Sequence, residues 1–133
     1  MFCREHVAQL REHEAEFRAQ GASLAAIGLG DMRYARLFRE DAHITFPLLV
    51  DEDRKSYRAA GLKSASLLHL LKSENAEARV RAKKGGHRQG ALGKDPLQLG
   101  ASFVFGPGNV DRYAHLSQTF GDNALMADLL AVL

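Results

Sequence analysis

The stretch ITFPLLVDEDRKSYRAAGL, residues 44–62, decides how this chain reads. Phe46 to Val50 is an apolar run of strand length, and Pro47 near its start lacks an amide donor, which suits the beginning of a strand or an edge. Asp51 and Asp53 then offer caps and first-turn acidity for a short helix holding Tyr57 and Ala60, and Gly61 supplies its stop. A buried strand passing straight into a helix is half of a βαβ unit, so the neighbouring sequence should repeat the alternation.

Upstream it does. Asp31 caps a predicted helix over 32–42 with Met32, Ala35, Leu37 and Phe38 turned inward. Before it, Ala22 to Gly28 is short and almost wholly apolar, as a strand covered on both faces would be. Residues 4–19 read as a first helix, with Val7, Leu10 and Phe17 on one stripe, a charged face between them and Gly21 as the stop. Cys3 lies on that stripe at the mouth of the helix. Short connections between such elements predict right-handed βαβ units and a largely parallel sheet.

Downstream the pattern breaks over residues 63–100. Ser64 can cap a helix with Leu67, Leu68 and Leu71 on one side, but the second half, Glu74 to Lys84, is highly charged, and a loop with Gly85, Gly86, Gly90 and Gly93 follows. This stretch reads as a surface insertion. Ser102 to Phe105 and Val110 to Leu116 are then two strands joined by Gly106-Pro107-Gly108-Asn109, an antiparallel hairpin. Asp122 is placed to cap a last helix with Leu125, Met126, Leu129, Leu130 and Leu133 inward. The order is α-β-α-β-α, insertion, β-β-α, in a single α/β domain over residues 1–133.

The whole composition bounds the function. The chain has 133 residues, a net charge of +2 and one cysteine, which excludes an internal disulfide and a Cys-rich zinc site. A lone cysteine fits a reducing compartment; with charges at Arg4, Glu5 and Arg11 in place of an apolar leader, a cytoplasmic location is expected, and no apolar run reaches membrane length. The slight basic bias predicts neither nucleic acid nor membrane as a partner. The run Arg79, Arg81, Lys83, Lys84, His87 and Arg88 contains no aromatic for base stacking and reads as solvated insertion. Gly106-Pro107-Gly108 has no Lys or Ser/Thr at P-loop spacing, and Asp51, Glu52 and Asp53 are better explained by capping than by a cation. His13, His43, His69, His87 and His115 are scattered and form no hydrolase or metalloprotease pattern, so no metal and no cofactor is expected.

Cys3 is the sharpest candidate for chemistry. A thiol at a helix N-terminus feels free amides and the positive end of the dipole, Arg4 adds charge beside it and His6 sits one turn on. One reading is a peroxide-reactive thiolate that passes through a sulfenic acid and is reset by an external thiol. The other is a small hydrophobe packed with Val7 and Leu10. Cys3 and His6 as two metal ligands have no third partner nearby in sequence.

The element order, with a cysteine at the mouth of the first helix, resembles the thioredoxin superfamily. Ile44 to Leu62 resembles the peroxiredoxin stretch in which F-P-L-L is followed by D-x-D/E and a short helix ending in G-L. The late segment DPLQLGASFVFGPGNVDRYAHLSQTFGDN, Asp95 to Asn123, resembles the AhpC/TSA peroxiredoxin-like proteins, with their Q-x-G-G hairpin after a variable insertion. The resemblance implies a thioredoxin-like three-layer α/β fold with a central mixed sheet and a C-terminal hairpin, reduction of small peroxides by a cysteine thiolate, and an external thiol reductant. Three departures accompany it. Cys3 matches the second cysteine of the family's C-x-x-C, Ala101 stands for the second glycine after Gln98 and Gly100, and no Arg precedes the hairpin strand. The resemblance also implies a strand before the first helix, lying between Ala22–Gly28 and Ser102–Phe105. The expectation is an N-terminally truncated arrangement in which those two strands lose their shared neighbour, or in which a second copy of the chain completes the sheet.

Overall fold

The structure, a computed structural model, describes residues 2–64 and 97–133. The predicted helix and glycine loop of the insertion fall almost wholly outside the described residues. Two helices open the chain, α1 (Phe2–Glu12) and α2 (Glu14–Ala19). They replace the single predicted helix; where the two meet, the His13 ring Nδ1 lies 2.9 Å from the Gln9 carbonyl. Gly21 stops α2 with φ +78, its amide on the Arg18 carbonyl and that of Ala22 on the Phe17 carbonyl. That paired closure needs a left-handed residue, which glycine adopts without cost.

The first strand, β1 (Ala26–Gly28), is shorter than the sequence predicts. Ala22 and Leu24 pack against the Phe17 cluster, and the ladder begins only where the Ala26 amide donates to the Pro47 carbonyl. Helix α3 (Met32–Asp41) follows, and the Asp31 carboxylate caps it by accepting from the Tyr34 amide at 2.8 Å. Its inward face is narrower than the sequence suggests: Phe38 is buried, while Met32 and Leu37 are each 53 % exposed. Strand β2 (Leu48–Val50) pairs in parallel with β1. Asp51 then anchors α4 (Lys55–Ala59), accepting from the Lys55 and Ser56 amides. The Ser56 hydroxyl donates to the same carboxylate and, with these amides, holds the Asp51 carboxyl below its usual pKa.

In the last third β3 (Ala101–Gly106) and β4 (Val110–Leu116) form the expected antiparallel hairpin, with a register shift between Val104 and Phe105. Helix α5 (Met126–Ala131) closes the chain. Asp122 does not cap it. Leu125 holds the cap position without a side-chain bond and is exposed, while Asp122 serves the loop after β4.

Pairing among the described strands is mixed, one parallel and one antiparallel, in two separate two-stranded sheets. Ala26 and Gly28 exchange bonds with the β2 side, so by alternation the amide and carbonyl of Ile27 point away from β2. The Ser117 amide donates to the Gly100 carbonyl, which sets Gly100, Ser102 and Val104 toward β4 and turns the peptide groups of Ala101 and Phe103 away from it. β1 and β3 therefore each present an edge with no strand on it among the described residues. Nor is β1 covered on both faces: Ile27 is 47 % exposed.

The principal core joins the terminal helices to the hairpin. Phe17, Ala124 and Leu129 are its buried centre, and Leu10, Leu24, Val104, Tyr113, Met126, Leu130 and Leu133 pack round it. That packing fixes α1 and α2 over the β3 face carrying Ser102 and Val104, which is what positions the site.

Candidate functional site

Cys3 occupies the first turn of α1, and as a residue it is exposed. Its sulfur is turned to the start of the hairpin: a methyl group added at Gly100 would come to 4.0 Å from Sγ. The fold thus brings the mouth of the first helix against the Gln98-Leu99-Gly100 segment. Gln98 braces that segment from the other side, its Nε2 donating to the Lys63 carbonyl at 3.1 Å and the Leu99 carbonyl at 2.9 Å.

Electrostatics at the sulfur differ from the sequence expectation. Burial of Sγ raises the Cys3 thiol above its ordinary pKa; its backbone hydrogen bond lowers it, but by less. Nor does Arg4 lend its charge. Its guanidinium binds the Asp41 carboxylate at 3.2 Å and lies over the Phe38 ring, 4.7 Å from the centroid. The free amides of a first turn favour a thiolate, yet desolvation of the charged form is the larger effect here.

His6 is placed one turn further along α1 and is buried, 8 % exposed. Its Nε2 lies 3.0 Å from Ser102 Oγ on β3, a bond across 96 positions of sequence. Burial lowers the imidazole pKa, and the charge of His115 adds to that. His115 on β4 is in turn held 3.0 Å from Asp122 Oδ1. Asp122 is fixed by the Gln118 amide on its other oxygen at 2.7 Å and by the Ser117 hydroxyl on its carbonyl at 2.6 Å.

Tyr57 completes the surroundings. Its hydroxyl donates to the Ile27 carbonyl at 3.0 Å, on the edge of β1 that faces away from β2. Desolvation, then the charges of Cys3 and Asp51, push its phenol up to about 12. A side-chain hydroxyl thus stands where a neighbouring strand would place an amide.

Of the residues named from sequence, Cys3 and His6 share this helix end and Gly100 lies against it, while Gln98 braces the Gly100 segment and Arg4 is drawn away to α3. His43 is exposed, and His13 serves the helix junction; His69, His87 and the basic run lie outside the described residues. No group of three metal-ligating side chains occurs among the described residues. Ser102, Tyr57 and the His115–Asp122 pair have no sequence signature, because each acts through a partner on another element.

The profile of the family described as AhpC/TSA antioxidant enzyme matches residues 9–119, leaving Cys3 and His6 just ahead of the matched region. No curated protein and no solved structure matches the chain.

Proposed function

The chain belongs to the AhpC/TSA antioxidant enzyme family, whose fold is thioredoxin-like α/β, and from that premise we propose that it is a peroxiredoxin-like thiol antioxidant protein acting through Cys3. The observation that carries the proposal is the meeting of an exposed Cys3 at the head of α1 with Gly100 of the hairpin motif. In the cycle, the Cys3 thiolate attacks one oxygen of a small peroxide; the O–O bond breaks, leaving a sulfenic acid, and the alkoxide takes a proton to become an alcohol. An external thiol condenses with the sulfenic acid, releasing water and forming a mixed disulfide. A second external thiol displaces Cys3 as the free thiol and leaves as the reductant's disulfide. The net change is one peroxide and two thiols converted to an alcohol, water and a disulfide.

The partners in this reading are a small peroxide and an external thiol, in a reducing cytoplasm. A second copy of the chain, pairing on the edges of β1 and β3, completes the sheet. In support of solution chemistry, no helix among the described residues is long and apolar enough to cross a membrane.

A second reading is favoured by one observation, the raised thiol pKa: a thioredoxin-fold binding module in which Cys3 only packs. Peroxide treatment followed by a sulfenic-acid-trapping dione separates the two. The antioxidant reading expects peroxide-dependent adduct at Cys3 and thiol-dependent peroxide consumption, both abolished in Cys3→Ser. Consumption that survives in Cys3→Ser, or a Cys3 that never forms the adduct, would sink it.

A further inference from the structure

We propose that the His6–Ser102 contact is a proton-operated latch, which holds α1 on the hairpin while the imidazole is neutral and lets the helix go when the ring takes up a second proton. The geometry makes the contact sensitive to protonation. Nε2 is 3.0 Å from Ser102 Oγ, and a neutral ring can satisfy that contact in either tautomer by giving or accepting the proton. Nδ1, by contrast, is buried and makes no hydrogen bond. A neutral ring with its hydrogen on Nε2 leaves only a lone pair there. A protonated ring puts a charged N–H donor at the same buried point, which is the expensive side of the hydrogen-bond balance.

The charged and titratable groups around the ring do not offer a counter-charge that removes this cost. From its own helix, His6 is flanked by Cys3 and buried Glu5, with Gln9 as the polar side chain that eases the cationic form. From β3 comes only the Ser102 hydroxyl. From β4 comes His115, whose charge opposes a cation on His6 and whose ring is held 3.0 Å from Asp122 Oδ1. Arg4 is engaged with Asp41 on α3. A proton arriving at His6 therefore meets an unfavourable burial and an opposing charge on His115. Release of α1 relieves both penalties by exposing the ring to water, and it withdraws the thiol of Cys3 from Gly100. The latch rests on His6, Ser102 and His115 alone, so it stands or falls apart from the redox reading.

The test is amide hydrogen exchange on the full chain between pH 7.5 and 5, each rate corrected for the intrinsic pH dependence of exchange, together with an NMR titration of the His6 ring. Protection of the α1 amides is expected to fall as the ring titrates, with the two midpoints coinciding. Each unit by which the free ring's midpoint exceeds the latched ring's gives about a tenfold loss of protection. Amides of the β1–β2 ladder, to which neither His6 nor Arg4 is bonded, serve as the control and keep their protection. His6→Gln, neutral at all these pH values and long enough to reach Ser102, is expected to remove the pH dependence; His115→Gln is expected to move the midpoint up by removing the opposing charge. If α1 stays protected through the titration of the wild-type ring, or loses protection at the same pH in His6→Gln, the latch is wrong.

Discussion

Cys3 is the residue on which the chemical reading turns, and its protonation can be measured directly. An ordinary thiol at the 9.0 reference is ionised to about 1 part in 100 at pH 7, and burial of Sγ makes the fraction in the folded chain smaller still. The thiolate is the nucleophile, so the rate of alkylation by iodoacetamide follows that fraction. The expected profile climbs about tenfold per pH unit from 7 to 9 and has no plateau below pH 9. Since the cause is desolvation, unfolding removes it: in urea at pH 8 the same thiol should react faster than in the native chain. Cys3 is the chain's one cysteine, so all the label counted belongs to it. A native plateau near pH 6 or 7, or a native thiol faster than the unfolded one, would mean that the amides of the first turn outweigh burial, and the electrostatic argument would be refuted. The same measurement bears on function, because a thiol ionised to less than about 1 % confines peroxide attack at neutral pH to a minor species.

Three further outcomes follow from the structure. Phe17, 3 % exposed at the centre of the principal core, should cost about 3–5 kcal/mol when changed to Ala, read as a lowered urea midpoint with little change in slope. Tyr57→Phe removes the hydroxyl from the Ile27 carbonyl and should cost about 0.5–1.5 kcal/mol; the phenolate absorbance that it loses in an alkaline titration should be the step near 12, and a lost step near 10 would contradict the desolvated placement. The third is pH dependence. The His6 pKa is lowered on folding from 6.5, so the unfolded chain takes the proton first. The stability that this ring contributes is fully present above pH 6.5 and declines below it, by up to about 1.4 kcal/mol per unit, until the folded ring also protonates. Urea midpoints that fall equally in His6→Gln would assign the acid sensitivity elsewhere.

The elements that could be read from sequence are those decided locally. Asp31 caps α3 because a carboxylate three residues before an amide has little else to do, and Gly21 and Gly61 end α2 and α4 because a left-handed closure selects glycine. The hairpin was legible from Gly106 to Asn109, where Gly108 and Asn109 take positive φ. What periodicity misassigns is anything whose partner is remote. Glu5 falls among the charged residues of α1 and His6 carries no sequence sign of its partner, yet both are buried, His6 against Ser102. Asp122 sits where a cap would be written, but His115 and the Gln118 amide claim it, and the last helix begins later without one. Ala22 to Gly28 has the composition of a full strand, but the pull of the Phe17 cluster on Ala22 and Leu24 leaves only Ala26 to Gly28 to the ladder. The candidate thiol was legible; the desolvation that raises its pKa was not, because it depends on what the fold packs round the sulfur.

The division of the strands into two pairs bears on how the thiol is held. In a continuous sheet, the position of α1 would be set by a ladder running beneath it. Here no ladder links β1 to β3 among the described residues, and α1 is located instead by side chains: Leu10 in the Phe17 cluster, His6 on Ser102, Arg4 on Asp41. Side-chain ties are exchangeable in a way that ladders are not, since one rotamer change breaks a single bond where a strand shift breaks a row of them. The Tyr57 hydroxyl on the Ile27 carbonyl has the same character. It satisfies the one edge acceptor that the geometry assigns to it, and rotation of one ring would return that acceptor to an incoming strand at the loss of a single hydrogen bond. The outward acceptor of β1 is thus satisfied by a group that can leave, and α1 is held over β3 by contacts of the same exchangeable kind.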